Sequence, residues 1–322
     1  MATTRVVEPF MQVSSGIRNN STENLMRNRA LWRVDKAQAA SLLIATLRRA
    51  LGALASLLAC ATVSHALQVT DDRGVVVRFA QPPQRIVSLL PSLTETVCAL
   101  GRCDRLVGVD RDSNFPPSVR NLRPIGGGLD PNIEAIVALR PDVVLLAGSA
   151  RSAERLQALG LKVIALEPKT HADLQRTIVQ LGILLQVPDV QALWREIDAG
   201  VGAAAQSLPA PLRGVRIYFE AAGGPYAAGE SSFIGETLAR LGVRNIVPAS
   251  MGPFPLLNPE YVVRADPDLI LVGDGHSIGM EQRPGWSAMR AIRAQRVCRF
   301  STEQGDMLVR PGPRLSEAAR IM

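Results

Sequence analysis

Arg85-Ile86-Val87-Ser88-Leu89-Leu90 runs directly into Pro91-Ser92-Leu93-Thr94-Glu95. A short run of mostly branched apolar residues predicts a strand buried on both faces. Ser92–Leu100 reads as a helix that closes at Gly101. The pairing recurs downstream, with strands predicted at Leu106–Val109, Asp142–Ala147 and Val163–Leu166. Helices at Asn132–Leu139 and Ala153–Leu159 lie among them. Upstream, Gln68–Thr70 and Val75–Arg78 flank the hairpin turn Asp71-Asp72-Arg73-Gly74, and Pro82-Pro83 interrupt the chain. Apolar strands alternating with short helices imply an α/β fold whose mostly parallel sheet is covered on both faces.

The rhythm breaks in the middle. Ala172–Gln186 is helical, and Pro188 is read as opening a second helix to about Leu208. There Val190, Leu193, Trp194, Ile197, Val201 and Ala204 or Ala205 form one apolar stripe along a rod of roughly 30 Å. Trp194 is read as a core anchor. Alternation then resumes, with strands Val215–Glu220, Asn245–Val247, Asp268–Val272 and Val297–Phe300. The accompanying helices are Phe233–Leu241, Pro259–Ala265, Trp286–Ala294 and Arg314–Ile321.

The two halves echo each other. Glu95-Thr96-Val97-Cys98-Ala99-Leu100-Gly101 matches Glu236-Thr237-Leu238-Ala239-Arg240-Leu241-Gly242. Asn132-Ile133-Glu134 with Pro141-Asp142 matches Asn258-Pro259-Glu260 with Pro267-Asp268. Two matches in the same order argue for a duplicated lobe. The expected architecture is two similar α/β lobes joined by one stiff helix, with a ligand cleft between them beyond the strand ends. The expected divisions are a leader at 1–66, an N-terminal lobe at 67–187, a linking helix at 188–208 and a C-terminal lobe at 209–322.

Charge separates leader from body. The 322 residues carry 36 Lys+Arg and 29 Asp+Glu, a net charge of +7. Residues 1–66 hold eight of the bases and three of the acids, which leaves 28 and 26 for the rest. The body is thus near neutral, with no electrostatic footprint for nucleic acid. Within the leader, Arg48-Arg49, the apolar run Ala50–Val63 and Ser64-His65-Ala66 compose a secretory signal, with cleavage expected after Ala66. The run is shorter than the roughly 20 apolar residues of a membrane span. Two alternatives stay open: translation from Met26, and a lipoprotein box at Leu57-Leu58-Ala59-Cys60 that would leave Cys60 acylated. A freely exported, periplasmic monomer is expected.

After cleavage Cys98, Cys103 and Cys298 remain. Cys98 and Cys103 flank a helix end and either bridge or pack as small buried hydrophobes. His65, His171 and His276 are too few for a multi-histidine metal site, and no metal site is expected. Gly126-Gly127-Gly128 lacks the frame of a phosphate loop, and no GxSxG elbow occurs. The glycine run, like Gly223-Gly224, is read as close backbone approach and tight turning. No enzyme is expected; a small-molecule enzyme on this scaffold is the remote alternative.

These residues resemble a family. Arg85–Glu95, Leu106–Asp110, Gly127-Gly128, Asn132–Asp142 and Arg310-Pro311-Gly312-Pro313-Arg314 look like the helical-backbone substrate-binding proteins of ABC importers. Within that group the chain is most like the periplasmic vitamin B12 (cobalamin)-binding proteins, and the resemblance covers roughly Val69 to Met322. It implies that Glu134 and Glu260, one per lobe tip, dock into arginine pockets of a membrane permease. It also implies a ligand site of Pro91, Ser92, Phe115, Gly127, Tyr226, Phe254, Asp306 and Arg310. Cobalamin or a related corrinoid would be the cargo, with no resident cofactor. Where cobalamin proteins offer tryptophans, this chain has Ala147 or Gly148 and Gly127-Gly128, which a smaller corrinoid precursor or another chelate would tolerate. Haem and ferric-siderophore binding are the alternatives. For haem, Tyr226 is the candidate axial ligand, with His171 placed between lobes and His276 in an outer loop.

Overall fold

Two parallel sheets, one in each half of the chain, organise the computed structural model. It describes residues 41, 43–48, 67–222, 226–272 and 279–322. Residues 43–48 are helical and exposed. The signal from Arg49 onward, its cleavage site, the lipoprotein cysteine, Gly223-Gly224 and His276 lie outside the described residues. Residues 65–322 form one compact unit.

The N-terminal lobe begins with a hairpin, β1 (Leu67–Thr70) against β2 (Val76–Phe79), closed by the Asp71 carboxylate accepting from the Arg73 and Val75 amides. Its sheet has the order β4-β3-β5-β6, formed by β3 (Ile86–Ser88), β4 (Leu106–Val109), β5 (Val143–Leu146) and β6 (Val163–Ala165). Around it pack α1 (Pro91–Ala99), α2 (Ile133–Ala138) and α3 (Ser152–Ala158). Cys98 and Cys103 are bridged, whereas Cys298 is free and exposed.

In the C-terminal lobe β7 (Arg216–Ala222), β10 (Leu269–Val272) and β11 (Val297–Arg299) run parallel. On the far edge of β7, β8 (Tyr226–Ala227) pairs antiparallel and β9 (Arg244–Asn245) parallel. The two lobes are joined by α4 (His171–Leu184) and α5 (Ala192–Ser207). The C-terminal lobe adds α6 (Phe233–Arg240), α7 (Pro259–Ala265), α8 (Arg290–Arg293), α9 (Thr302–Val309) and α10 (Leu315–Ile321).

Strand alternation divides the core. Val87, Val144 and Leu146 pack outward onto α2 and α3, and Tyr218, Ile270 and Val272 pack outward in the second lobe. The opposite faces, including Ile86, Leu145, Phe219 and Leu271, share one continuous core with α4, α5 and α10. The lobes therefore meet through packed apolar surface as well as through a connecting helix, which limits independent movement. At Gly200 of α5 an added Cβ would lie 2.5 Å from the Ser316 Cβ, so glycine is what lets α10 approach.

Three expectations change. Pro188 sits in a turn in which the Asp189 side chain accepts from the Gln191 amide, so the linking helix starts at Ala192 and is shorter than predicted. Its 16 residues give about 24 Å. The stretch 286–294 divides into a 3-10 turn at Trp286–Ala288 and the short α8. Residues 302–309, not assigned from sequence, form α9, capped by Ser301 and Gln304 acting reciprocally.

Candidate ligand-binding cleft

The carboxyl ends of β3, β4, β5 and β6 surround an open cavity of about 550 Å³. Leu89, Leu90 and Pro91 follow β3, Asp110–Asp112 follow β4, Ala147 and Ala150 follow β5, and Glu167 follows β6. Parallel sheets place ligands beyond these strand ends, and the volume suits a small-molecule ligand. Gly127 and Gly128 let their loop lie against the sheet. A Cβ on Gly128 would stand 2.8 Å from the Leu89 carbonyl oxygen, and one on Gly127 2.4 Å from Asp130 Oδ1. The loop thereby presents Leu129, which is 91% exposed. Arg111 pairs with Asp130 across it.

Beneath the wall runs a buried hydroxyl chain absent from the sequence-derived site. Thr94 Oγ1 donates to Ser88 Oγ at 2.9 Å and meets Ser113 Oγ at 2.9 Å, and Ser113 Oγ donates to Asp110 Oδ2 at 2.5 Å. Burial pushes the Asp110 carboxyl above the usual carboxylate range, although Ser113 and the Asp112 amide donate to it. With Asp112, Asp130 and Glu167 against Arg111, the charged part of the lining is predominantly acidic.

The sequence-derived ligand residues fall into separate places. Pro91 and Gly127 line the cavity. Ser92 is buried, and its Oγ has no hydrogen-bond partner. Phe115 and Asp306 line a second pocket of about 200 Å³ with Asn114, Arg120, Thr302, Glu303 and Arg314. Arg310 is turned into the protein and ion-paired with Glu95 and Asp306. Tyr226, 45% exposed, lies on β8 and bridges to Leu256. Phe254 lies with its ring centroid 6.0 Å from that of Phe233, the first residue of α6.

Glu134 and Glu260 are both exposed in the first turn of a helix. Asn132 and Asn258 cap those helices, accepting from the Ala135 amide at 2.8 Å and the Glu260 amide at 2.9 Å. His171 is closed off. Its Nε2 donates to the Phe233 carbonyl at 3.1 Å and sits 2.9 Å from Thr237 Oγ1, and burial holds its pKa below the usual value. Trp194 is half-buried against the shared core, its ring centroid 6.4 Å from that of His171. Among the described residues no group of three His, Cys, Asp or Glu could hold a metal, and no helix is long and apolar enough to cross a membrane.

Two α/β lobes share a core, and a cavity lies beyond the strand ends of the first. The chain belongs to the periplasmic binding protein family, which it matches over residues 86–302. It is 26% identical over 271 residues to an uncharacterized ABC transporter substrate-binding lipoprotein, YvrC, of Bacillus subtilis, covering 77% of this chain and 82% of the relative. To the vitamin B12-binding protein of Pectobacterium carotovorum it is 26% identical, over 74% of this chain and 86% of that one. Among solved structures it is similar to the periplasmic vitamin B12-binding protein BtuF of Vibrio cholerae, with TM-score 0.62 and 25% identity over 74% of this chain and 95% of that one. It is comparably similar to the periplasmic haem-binding protein RhuT of Roseiflexus, with TM-score 0.63 and 26% identity over 74% and 95%. Such family members are solute-binding proteins rather than enzymes, and those of ABC importers work with a membrane permease.

Proposed function

We propose that this chain is the extracytoplasmic substrate-binding protein of an ABC importer and captures cobalamin or a related corrinoid. On this reading it is exported by its leader, acts as a monomer, performs no catalysis and carries no resident cofactor. The leader ends at residue 66, and residues 188–208 separate the two working lobes. Glu134 and Glu260 serve as the paired permease contacts, since charges on two packed lobes define position and orientation together.

The observation that carries the ligand reading is the cavity wall. It offers aliphatic surface from Leu89, Leu90, Pro91, Leu129 and Ala150, and an excess of carboxylates, without an imidazole or phenol among the described residues. A corrinoid brings its own metal ligands and neutral amide arms. Haem brings carboxylates and takes an axial ligand from the protein. Haem remains the second reading because Tyr226 is exposed on β8. Equilibrium titration with cyanocobalamin, cobinamide and haemin separates the two. The expected order places either corrinoid tighter than haemin. Tighter haemin binding, lost in Tyr226→Phe, overturns the corrinoid reading, and silence with all three points to a siderophore.

A further inference from the structure

Arg310, which the family resemblance assigns to the ligand together with Asp306, spends its polar atoms on protein partners, and Asp306 is one of them. Arg310 Nη1 donates to Glu95 Oε1 at 3.1 Å and to Asn114 Oδ1 at 2.7 Å. Its Nη2 donates to the Asp112 carbonyl at 3.0 Å and pairs with Asp306 Oδ2 at 2.8 Å. Asn114 Nδ2 closes the ring onto Asp306 Oδ2 at 2.7 Å. Arg314 grips both Glu95 oxygens, at 2.8 and 2.6 Å, while its guanidinium stacks 4.1 Å from the Phe115 ring centroid.

The side chains of Glu95, Arg314 and Arg310 are 2%, 7% and 10% exposed. A buried ion cluster is seldom a net source of stability against apolar replacements, because desolvation offsets its attraction. What it supplies is direction: a planar guanidinium fork fixes its partners in angle as well as distance. Here the fixed partners are residues 112–115. Asp112 forms part of the cavity wall, and Asn114 and Phe115, two and three residues further on, line the second pocket. Glu95 belongs to α1, whereas Arg310 and Arg314 flank the junction of α9 and α10, so the network spans the chain from the first lobe to its last helices.

We propose that Arg310 is a positioning residue: with Arg314 it is anchored on Glu95 and locks the Asp112–Phe115 rim before ligand arrives. The proposal deepens the reading of the cavity as a ligand site and rests on that reading. Amide hydrogen exchange of residues 111–115 in the ligand-free full chain tests it, comparing wild type with Arg310→Lys, which keeps the charge and removes the fork, and with Glu95→Gln. Rim exchange is expected to rise about tenfold in both variants while the amides of β5 stay protected. Association of cyanocobalamin and cobinamide should slow in proportion to the fraction of molecules whose rim is unlocked, with dissociation unchanged, since only molecules with the rim in place can bind. Unchanged rim exchange with weakened binding would make Arg310 a direct ligand contact and overturn the proposal, as would no change in either measurement. If Glu95→Gln does not fold, Arg310→Lys and Asp306→Asn decide it by the same two readouts. Absence of corrinoid binding by the wild-type protein removes the ligand reading and leaves the exchange result to judge the rim alone.

Discussion

Asp142 and Asp268 perform the same act in different lobes. Asp142 Oδ2 accepts from the Arg85 amide at 2.9 Å while the Asp142 amide donates to the Arg85 carbonyl at 2.8 Å. Asp268 repeats both bonds with Arg216, at 3.0 and 2.8 Å. Each aspartate follows a proline, and a residue in the left-handed region, Arg140 in one lobe and Asp266 in the other, precedes that proline. The sequence echo is therefore a repeated device that starts one inner strand beside another. Asp142→Ala and Asp268→Ala should each lower unfolding free energy by about 1 kcal/mol. The double variant should be close to additive, since the sites lie in different lobes. Urea midpoints that fall with an unchanged slope would support this; loss in only one lobe would contradict the equivalence.

Reversal of the paired glutamates should separate capture from delivery. Glu134→Lys with Glu260→Lys is expected to abolish uptake in cells while leaving ligand affinity within about twofold. Both side chains are exposed, and the Glu260–Arg264 contact at 3.8 Å joins two exposed groups, so folding should be little affected. Weakened ligand binding in the purified double variant would contradict a docking role.

Val143–Leu146 was legible as a strand because all four residues are buried, so its pattern is a continuous apolar run. The α7 bounds coincide with the sequence reading because Asn258 caps one end and Pro267 blocks continuation at the other. The α9 helix was missed because Thr302–Asp306 is polar and carries Gly305; Ser301 with Gln304, a capping pair, was the available signal. Of the candidate site, Pro91 and Gly127 fall on the cavity wall because strand ends and glycine loops are local features. The Glu95–Arg314 contact joins residues 219 positions apart. No local pattern says which acid a distant arginine will meet, so the resemblance places Arg310 on the ligand and its partner Glu95 stays hidden.

A second buried ion pair offers a sharp stability test. Glu220 is fully buried on β7 and accepts two bonds from Arg283, at 2.7 and 2.9 Å, and one from the Tyr218 hydroxyl at 3.1 Å. Burial raises the Tyr218 phenol well above its usual value, which keeps it a donor. Arg283→Ala removes the only ion-paired partner of this carboxylate among the described residues and its stacking on Trp286. A cost of about 3–5 kcal/mol is expected, because the carboxylate stays buried without compensation. Replacing both ends, as Glu220→Leu with Arg283→Met, should cost far less. Equal losses in the single and double variants would contradict that account.

His171 sets the pH dependence near neutrality. Burial disfavours its charged form, and this outweighs the nearby Glu236 carboxylate, so its folded pKa lies below the ordinary 6.5. The unfolded chain therefore binds a proton that the folded one resists. Stability should be complete above about pH 6.5 and decline as pH falls from there toward the lower folded value. Asp71 and Asp173 have depressed carboxyl values and act in the same direction only below about pH 4. His171→Gln, which keeps a donor toward the Phe233 carbonyl, should flatten the decline that begins below about pH 6.5 and leave the carboxylate limb intact. Thermal midpoints of wild type and variant across pH 4–8 measure the difference. Parallel curves over the upper window would assign the decline to another group.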